Sequence, residues 1–207
     1  MRVIIFGSTG SIGQLLVQQA LDDNHIVTAF LRAPAKLNIK HSNLKLFQGD
    51  VMRYDNVETA IKDQDVVFCC LGAGSKGKVR AEGTRHIVKA MEKAGVKRFI
   101  CQSTLGAGDS RGNLNFFWKY IMFGLLLRKA YEDHELQEKY VMQSKLDWTI
   151  VRPAAFVDGP RTGSYHHGFG ANEKGLTLKI SRADVADFML QQLSTSLYLR
   201  KAAGQSY

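Results

Sequence analysis

The stretch Arg2-Val-Ile-Ile-Phe-Gly-Ser-Thr-Gly-Ser-Ile-Gly13 decides the fold of this chain. Its β-branched run from Val3 to Phe6 is typical of a buried strand, and the apolar-periodic residues Leu15–Leu21 that follow are typical of a helix. Three glycines separate the two elements, at Gly7, Gly10 and Gly13. The pattern therefore predicts a strand that turns directly into a helix.

Each glycine has a physical reason to be there if the turn binds a dinucleotide. Gly7 permits the tight turn, Gly10 lets backbone N–H groups approach a pyrophosphate, and Gly13 lets the helix pack closely on the strand. The N-terminal partial positive charge of the helix favours the phosphates. We expect the whole turn to contact the cofactor, through Gly7, Ser8, Thr9, Gly10, Ser11, Ile12 and Gly13. The competing interpretation is a strand–helix turn that only needs flexible residues.

Length and composition are ordinary for a globular protein. The chain has 207 residues, of which 45% are hydrophobic and 23% charged, and it is most simply one domain over residues 1–207. The apolar run at its start is only as long as a strand, so we expect no cleavable signal. The cysteines Cys69, Cys70 and Cys101 lie in apolar runs and match no zinc pattern, which favours reduced thiols in a cytoplasmic protein and no metal site.

The net charge of +9 has two readings. A basic cluster at Lys76, Lys78 and Arg80 could bind nucleic acid, or it could belong to a site for a phosphate-rich anion such as a dinucleotide. The sequence has no basic stretch with interleaved aromatic residues and no recognition-helix signature. Nucleic acid is therefore the less favoured partner.

Alternating strand and helix patterns follow the first helix. Strands are predicted at Ile26–Leu31, Leu44–Phe47, Val66–Leu71, Arg98–Gln102 and Asp147–Arg152, with helices at Val57–Ile61 and over residues 79–94. Short connections between such elements predict an α/β fold: a single doubly wound parallel-sheet (Rossmann) domain with a small C-terminal extension.

The last third of the chain is less regular. Residues 115–144 have helical periodicity, and their apolar part, residues 116–127, is shorter than the roughly 20 residues that a membrane span needs. We expect this apolar helix to lie under a lid or against a partner subunit, which makes self-association through it a hypothesis. A Gly-rich substrate loop is expected at residues 154–176, then a strand at Leu176–Ile180, a helix capped by Ser181 and an irregular tail from Ser194.

Several motifs along the chain resemble a known family. They are GSTGSIG at residues 7–13, Arg32, Gly49-Asp-Val51, Cys70-Leu-Gly-Ala73, Gln102-Ser-Thr104 and Asp147-Trp-Thr-Ile-Val-Arg-Pro153. In this order they resemble the atypical short-chain dehydrogenase/reductases with an NAD(P)H-binding, NmrA-like Rossmann domain. The run Asp158-Gly-Pro-Arg-Thr-Gly-Ser-Tyr165 looks most like the biliverdin-IXβ reductase/flavin reductase branch.

The resemblance implies a role for each motif. Arg32 would lie near the adenosine phosphate and Asp50 with Val51 beside the adenine. The ribose would be lined by Leu71, Gly72 and Ala73. Ser103 and Thr104, together with Pro153, would flank the nicotinamide.

Two positions depart from the family patterns. The Tyr-x-x-x-Lys pair of many members is absent, because Tyr131 is followed at that spacing by Glu135 and Tyr140 by Ser144. The flavin/biliverdin branch does not rely on that pair, but it tends to carry a histidine where this chain has Ala155.

Arg32 stands where NAD-specific proteins place an acidic residue. An arginine there can pair with a 2′-phosphate, which favours NADP (NADPH) over NAD, with Lys36 as a helper; a solvated strand-end arginine is the alternative. Asp50 could likewise be a turn residue only.

The candidates on the substrate side are Ser103 and Thr104 as catalytic groups and Ala155, Phe156 and His166 as substrate contacts. The Ser103 hydroxyl could donate to a substrate oxygen while hydride arrives from the nicotinamide, or it could simply bind backbone. The acceptor pocket is expected between residues 103–104, 153–155 and 158–169. Asp133 and His134 are interpreted as part of an exposed polar face.

Two functions are consistent with these features. The first is an NADPH-dependent reductase that passes hydride to a planar conjugated acceptor such as a flavin, a quinone or a tetrapyrrole. The second is a non-catalytic, NmrA-like redox sensor that contacts a partner protein through residues 116–127. A sugar-nucleotide epimerase is disfavoured because the usual tyrosine and a larger substrate domain are missing.

Overall fold

A computed structural model describes residues 1–72 and 77–207 of the chain. The strands are β1 Arg2–Phe6, β2 Ile26–Leu31, β3 Leu44–Gln48, β4 Val66–Cys69, β5 Arg98–Gln102, β6 Asp147–Pro153, β7 Ala155–Val157, β8 His166–His167, β9 Lys179–Ser181 and β10 Lys201–Ser206. The helices are α1 Ser11–Asp22, α2 Tyr54–Ile61, α3 Val79–Ala94, α4 Arg128–Met142 and α5 Arg182–Gln191. A π-helical segment, Phe117–Leu126, precedes α4.

Eight of these strands form one sheet, in the order β3-β2-β1-β4-β5-β6-β10-β8. All neighbours are parallel except β10 and β8, and β7 pairs with β9 in a separate two-stranded sheet. From β1 the chain adds β2 and β3 on one side and then β4, β5 and β6 on the other. This switch in strand order between β1 and β4 opens a crevice at their carboxyl ends. The predicted doubly wound α/β fold is confirmed.

Helices cover both faces of the sheet. On one face α1 packs against α5, and on the other α2, α3 and α4 pack side by side. The central strands β1 and β4 are buried on both faces, which explains why they read as continuous apolar runs rather than alternating ones. The cap of α5 is as expected, because the Ser181 hydroxyl accepts the N–H of Asp184 at 3.0 Å.

Two predictions for the last third of the chain are wrong. The expected loop at residues 154–176 contains the short strands β7 and β8, and the expected irregular tail contains β10, which lies in the main sheet between β6 and β8. The sequence of β10, Lys-Ala-Ala-Gly-Gln-Ser, has none of the β-branched residues that indicate a strand. It is held by backbone pairing on two sides, and Ala203, Gln205 and Ser206 are fully buried.

The region from residue 115 to 144 divides into the π-helical segment and α4, as the periodicity allows. None of the helices found in residues 1–72 and 77–207 is both long enough and apolar enough to cross a bilayer. The π-helical segment instead runs along the surface, and six residues in and next to it expose large apolar side chains, namely Phe116, Phe117, Tyr120, Ile121, Leu125 and Leu126.

Candidate functional site

A cavity of about 340 Å³ lies at the carboxyl ends of the central strands. Its lining comes from the turn after β1, from the ends of β2, β4 and β5 and from the turn after β3, with contributions from α3 and α4. This is the crevice where open α/β sheets bind ligands. The predicted cofactor residues that line it are Gly7, Thr9, Gly10, Ser11, Ile12, Arg32, Asp50, Val51, Leu71 and Gly72.

The glycine turn is built without room for side chains. Gly7 has φ +84°, and a Cβ there would overlap the carbonyl group of Cys70. A Cβ on Gly13 would overlap the Gly7 carbonyl and lie 2.9 Å from the Cα of Ser8. Both glycines are therefore required by packing, whereas Gly10 lines the cavity itself. The Gly10 N–H donates to the Gly7 carbonyl at 2.9 Å, which closes the turn.

The start of α1 is suited to an anion. The helix begins at Ser11 with Gly10 as its N-cap, and no side chain of the described residues caps its first N–H groups. These N–H groups lie at the cavity edge, where the helix dipole adds partial positive charge. A pyrophosphate would satisfy the donors that the protein leaves open.

Arg32 and Asp50 lie at the same end of the cavity. Arg32 follows β2 directly and is exposed to solvent. The Asp50 carboxylate accepts the N–H of Met52 at 3.0 Å and thereby shapes the turn after β3. Asp50 is thus a turn residue that also lines the cavity, and none of the described residues donates a hydrogen bond to its second oxygen.

Two buried polar atoms at the opposite end have no partner within the described part of the chain. They are Oγ of Ser103 and Oε1 of Gln102, which lie at the end of β5 and belong to residues that line the cavity. A buried polar atom without a hydrogen bond costs stability, so such atoms are uncommon unless a ligand completes them. Among residues 1–72 and 77–207 the Ser103 hydroxyl makes no hydrogen bond to the backbone, so this part of the chain does not support the interpretation of Ser103 as a backbone-binding residue.

His134 also lines this end of the cavity, which sequence reasoning missed. The expectation that Asp133 and His134 form an exposed polar face is wrong, because both side chains are buried. The Asp133 carboxylate accepts the N–H groups of Arg80 and Ala81 at 3.1 Å and pairs with the Arg80 guanidinium at 3.5 Å. α4 is therefore tied to the start of α3 through buried groups that lie close to the cavity.

The state of the His134 ring follows from its neighbours. The side-chain amide of Gln137 donates to Thr84 Oγ1 at 3.0 Å, which leaves its oxygen 3.3 Å from Nδ1 of His134. An amide oxygen only accepts, so Nδ1 carries the proton and Nε2 is an acceptor. Burial, with the nearby Arg80 charge, lowers the pKa of His134 to about 3. At neutral pH the ring is uncharged and can accept a hydrogen bond but cannot donate one through Nε2.

A second cavity, small and apolar, adjoins the first at Thr104. It measures about 40 Å³ and lies between the β6–β7 region and the π-helical segment. Its walls are Thr104, Leu105, Leu114, Trp118, Phe123, Pro153, Ala154, Ala155 and Leu178. Residues 158–169, which were expected to bound the acceptor pocket, do not line this cavity, and Trp118 and Phe123 supply one of its walls.

Phe156 lines the larger cavity and carries a cation above it. The guanidinium of Arg182 lies 5.7 Å from the centre of the Phe156 ring and pairs with Asp158 at 2.6 Å. Its Nε also donates to Oγ of Ser11 at 3.2 Å, at the start of α1. Arg182 therefore places a guanidinium, paired with Asp158, beside the glycine turn. Sequence reasoning could not find it, because 171 positions separate Arg182 from Ser11.

Some predicted site residues do not line the larger cavity. The Ser8 hydroxyl donates to the Phe30 carbonyl at 2.9 Å and is buried, so it holds the turn to β2. Gly13 packs against the turn, and Lys36 is exposed beyond Arg32. Pro153 and Ala155 line the small cavity only. His166 lies on β8 and lines neither of these two cavities, so its role as a substrate contact stays a prediction, and Ala73 lies outside the described residues.

Three free cysteines lie next to the site. Cys69 and Cys101 are register partners on β4 and β5 and are buried, and Cys70 lines the cavity. Burial raises the pKa of the Cys70 and Cys101 thiols well above the usual value. Within the described residues no group of three or more His, Cys, Asp and Glu side chains could hold a metal ion.

These features define an α/β protein with a dinucleotide site. They are the glycine turn, the uncapped N–H groups at the start of α1 and the crevice where the strand order switches. The profile of the NAD(P)H-binding family matches residues 7–196. The chain belongs to this family, and the prediction of an NAD(P)H cofactor is confirmed.

Individual proteins resemble the chain over nearly its whole length. UPF0659 protein YMR090W of Saccharomyces cerevisiae is 31% identical over 205 residues, which cover 93% of this chain and 87% of the yeast protein. The oxidoreductase ylbE from Lactococcus lactis has a TM-score of 0.85 at 24% identity and covers 100% of this chain and 90% of its own.

Two further solved structures share the fold at low identity. A short-chain dehydrogenase/reductase from Veillonella parvula in complex with NADP has a TM-score of 0.83 at 20% identity, covering 100% of this chain and 94% of its own. ChuY, an anaerobillin reductase from Escherichia coli O157:H7, has a TM-score of 0.81 at 24% identity, covering 100% and 97%. At these identities the likeness establishes the α/β fold and not a substrate.

Proposed function

We propose that this protein is an NADPH-dependent reductase that passes hydride to a planar, conjugated, largely apolar acceptor such as a flavin, a quinone or a tetrapyrrole. The observation that carries the proposal is the apolar wall of the small cavity, which meets the cofactor cavity at Thr104; its volume of about 40 Å³ would admit only one edge of such an acceptor. An acceptor there would lie beside Ser103 and Thr104, the residues expected to flank the nicotinamide. The resemblance to the biliverdin-IXβ/flavin reductase branch and the fold of the ChuY reductase agree with this choice.

The cofactor would be held from both ends of the larger cavity. The N–H groups at the start of α1, with Arg182 beside them, would bind the pyrophosphate, and Arg32 would pair with the 2′-phosphate. The unpartnered Ser103 Oγ and the acceptor nitrogen of His134 are available for the nicotinamide half or for the substrate. When bound, NADPH supplies the hydride.

The residues at the end of the larger cavity where the nicotinamide is expected would position cofactor and acceptor, and none of those described there is a strong acid. Tyr131 lines neither cavity, and its hydroxyl donates to the Gly106 carbonyl at 3.0 Å. His134, with a pKa of about 3, is not protonated at neutral pH. A conjugated acceptor tolerates this arrangement, since it accepts hydride without a side-chain acid and solvent can supply the proton. Catalysis would then rest mainly on contact and orientation, with Ser103 able to donate one hydrogen bond to an acceptor oxygen.

The decisive experiment is stopped-flow oxidation of NADPH by the purified protein with a panel of flavins and quinones. We expect steady consumption with at least one acceptor. Ala155→Trp should abolish turnover by filling the small cavity and should leave the Kd for NADPH unchanged, because Ala155 does not line the larger cavity. Tyr131→Phe is the matched control and should change the rate little. NADPH binding without turnover of any acceptor would contradict the proposal.

That outcome would favour the second candidate, a non-catalytic NmrA-like sensor that binds NADP(H) and contacts another macromolecule. The observation in its favour is the exposed apolar face of the π-helical segment. A sensor should be insensitive to Ala155→Trp and sensitive to substitutions on that face.

A further inference from the structure

We propose that the π-helical segment Phe117–Leu126, with Phe116 before it and Arg128 and Lys129 after it, binds to the surface of an anionic lipid bilayer. We call these residues the docking face. The binding itself does not depend on the proposed function.

The docking face combines two layers of side chains. Trp118 and Phe123 turn inward, with ring centres 5.7 Å apart, and form a wall of the small apolar cavity. The outward side chains are large and apolar, and Phe116, Leu125 and Leu126 are 71%, 73% and 61% exposed. A contiguous apolar surface of this kind marks an interaction site rather than an ordinary solvated surface.

The charged residues within and directly beside the docking face are all basic. Residues 110–131 contain Arg111, Lys119, Arg128 and Lys129 and no Asp or Glu. One of these cations, Arg128, pairs with Glu132 at 2.9 Å on the solvent side of α4, and the whole chain carries a net charge of +9. Helices that lie in the interface of anionic membranes combine large apolar side chains with Lys and Arg residues beside them. The docking face has both features.

The same observations argue against a second copy of this chain as the occupant. Two copies that met face to face would bring their Lys and Arg side chains together, and like charges across an interface oppose association. An anionic bilayer offers apolar contact and the complementary charge at once. The outward side chains would enter the boundary between headgroups and acyl chains while Lys119 and Lys129 remain at headgroup level.

Binding to lipid would also place the small cavity at the membrane surface, because Trp118 and Phe123 lie between the two. If the proposed function holds, the acceptor is then a lipid-soluble molecule that reaches Thr104 from the bilayer. This extension rests on the proposed function, whereas the docking does not.

The test is flotation of the purified protein with vesicles of phosphatidylcholine alone or with about one third phosphatidylglycerol. We expect binding to the anionic vesicles at least about tenfold stronger than to the neutral ones, and weakened by salt. Leu125→Glu and Leu126→Glu should each reduce that binding by at least about tenfold, since a charge in the boundary region opposes insertion. Leu197→Glu is the matched control, because Leu197 is 58% exposed outside the docking face, and it should bind as the wild type does.

Each variant is first shown to keep its circular dichroism spectrum and its affinity for NADPH, so that loss of binding is not loss of the fold. Equal binding to both vesicle types, or no effect of the two docking-face variants relative to Leu197→Glu, would overturn the proposal. Absence of vesicle binding together with a dimer that Leu126→Glu dissociates in sedimentation would assign the face to a second copy instead. None of these readouts requires turnover, so failure of the docking proposal is distinguishable from failure of the reductase proposal.

Discussion

At the scale of single residues, two arginines at the cavity act on different parts of a dinucleotide. Arg32 follows β2 and lies at the cavity end that Asp50 shares, whereas Arg182 reaches Ser11 at the start of α1 from α5. The first position can distinguish NADPH from NADH, and the second lies near the phosphates that both cofactors contain. This difference makes the two side chains controls for each other.

We expect Arg32→Ala to weaken NADPH binding by about 1.5–3 kcal/mol, or roughly ten- to a hundredfold in Kd, because a charge-assisted hydrogen bond to the 2′-phosphate is lost. Affinity for NADH should not change. Titration of both cofactors by fluorescence measures the effect. Arg182→Ala should instead weaken both cofactors equally, and a wild-type protein that binds them with the same affinity would refute the NADP assignment.

His134 makes stability depend on pH in a defined direction. Its pKa is about 3 in the folded protein and near 6.5 in an unfolded chain, so between these values the unfolded state binds one more proton. The free energy of unfolding therefore falls as pH drops from 6.5 towards 3, by about 1.4 kcal/mol per pH unit from this group. Above pH 6.5 the contribution is constant.

His134→Gln should remove this slope while keeping a donor for Gln137. Urea unfolding at pH 7.5 and at pH 4.5 should show that the variant gains about 2–3 kcal/mol on the wild type between the two conditions. His41→Gln, on an exposed loop, serves as the control and should parallel the wild type. Parallel profiles for His134→Gln would contradict the buried neutral histidine.

At the scale of elements, α4 holds one wall of the site through a buried ion pair. Glu138 on α4 accepts two hydrogen bonds from Arg152 on β6, at 2.9 and 2.7 Å, and both side chains are almost fully buried. Asp109 also pairs with Arg152 and covers it from the solvent side. The position of His134 on α4 thus depends on a contact one turn further along the same helix.

We expect Glu138→Gln to destabilise the fold by about 3–5 kcal/mol, because it leaves the Arg152 charge buried with its main partner removed. Glu132→Gln on the same helix is the control. Its pair with Arg128 is exposed, so the cost should be below about 1 kcal/mol. Urea denaturation of the two variants measures the difference, and equal costs would show that Asp109 alone compensates the arginine.

At the scale of the whole molecule, the sequence predicts the layered core well and the long-range contacts poorly. The strands β1 to β6 and the glycine turn follow from local patterns, since apolar runs and turn residues report burial directly. β10 could not be predicted, because its strand conformation comes from neighbours on both sides rather than from its own residues. His134 was missed for a related reason: a polar residue in a charged helix has no local sign that its face packs inward. The contact of Arg182 with Ser11 exists only once the chain has folded.

The buried thiols can report how often the folded protein opens locally. Cys69 and Cys101 lie between the sheet and its helices, so a thiol reagent reaches them only in molecules that have transiently opened around β4 and β5. When reclosing is fast, the labelling rate reports the population of opened molecules. Cofactor binding lowers that population by mass action. The slowing of thiol labelling by added NADPH or NADH therefore measures cofactor affinity without any mutation or electron acceptor.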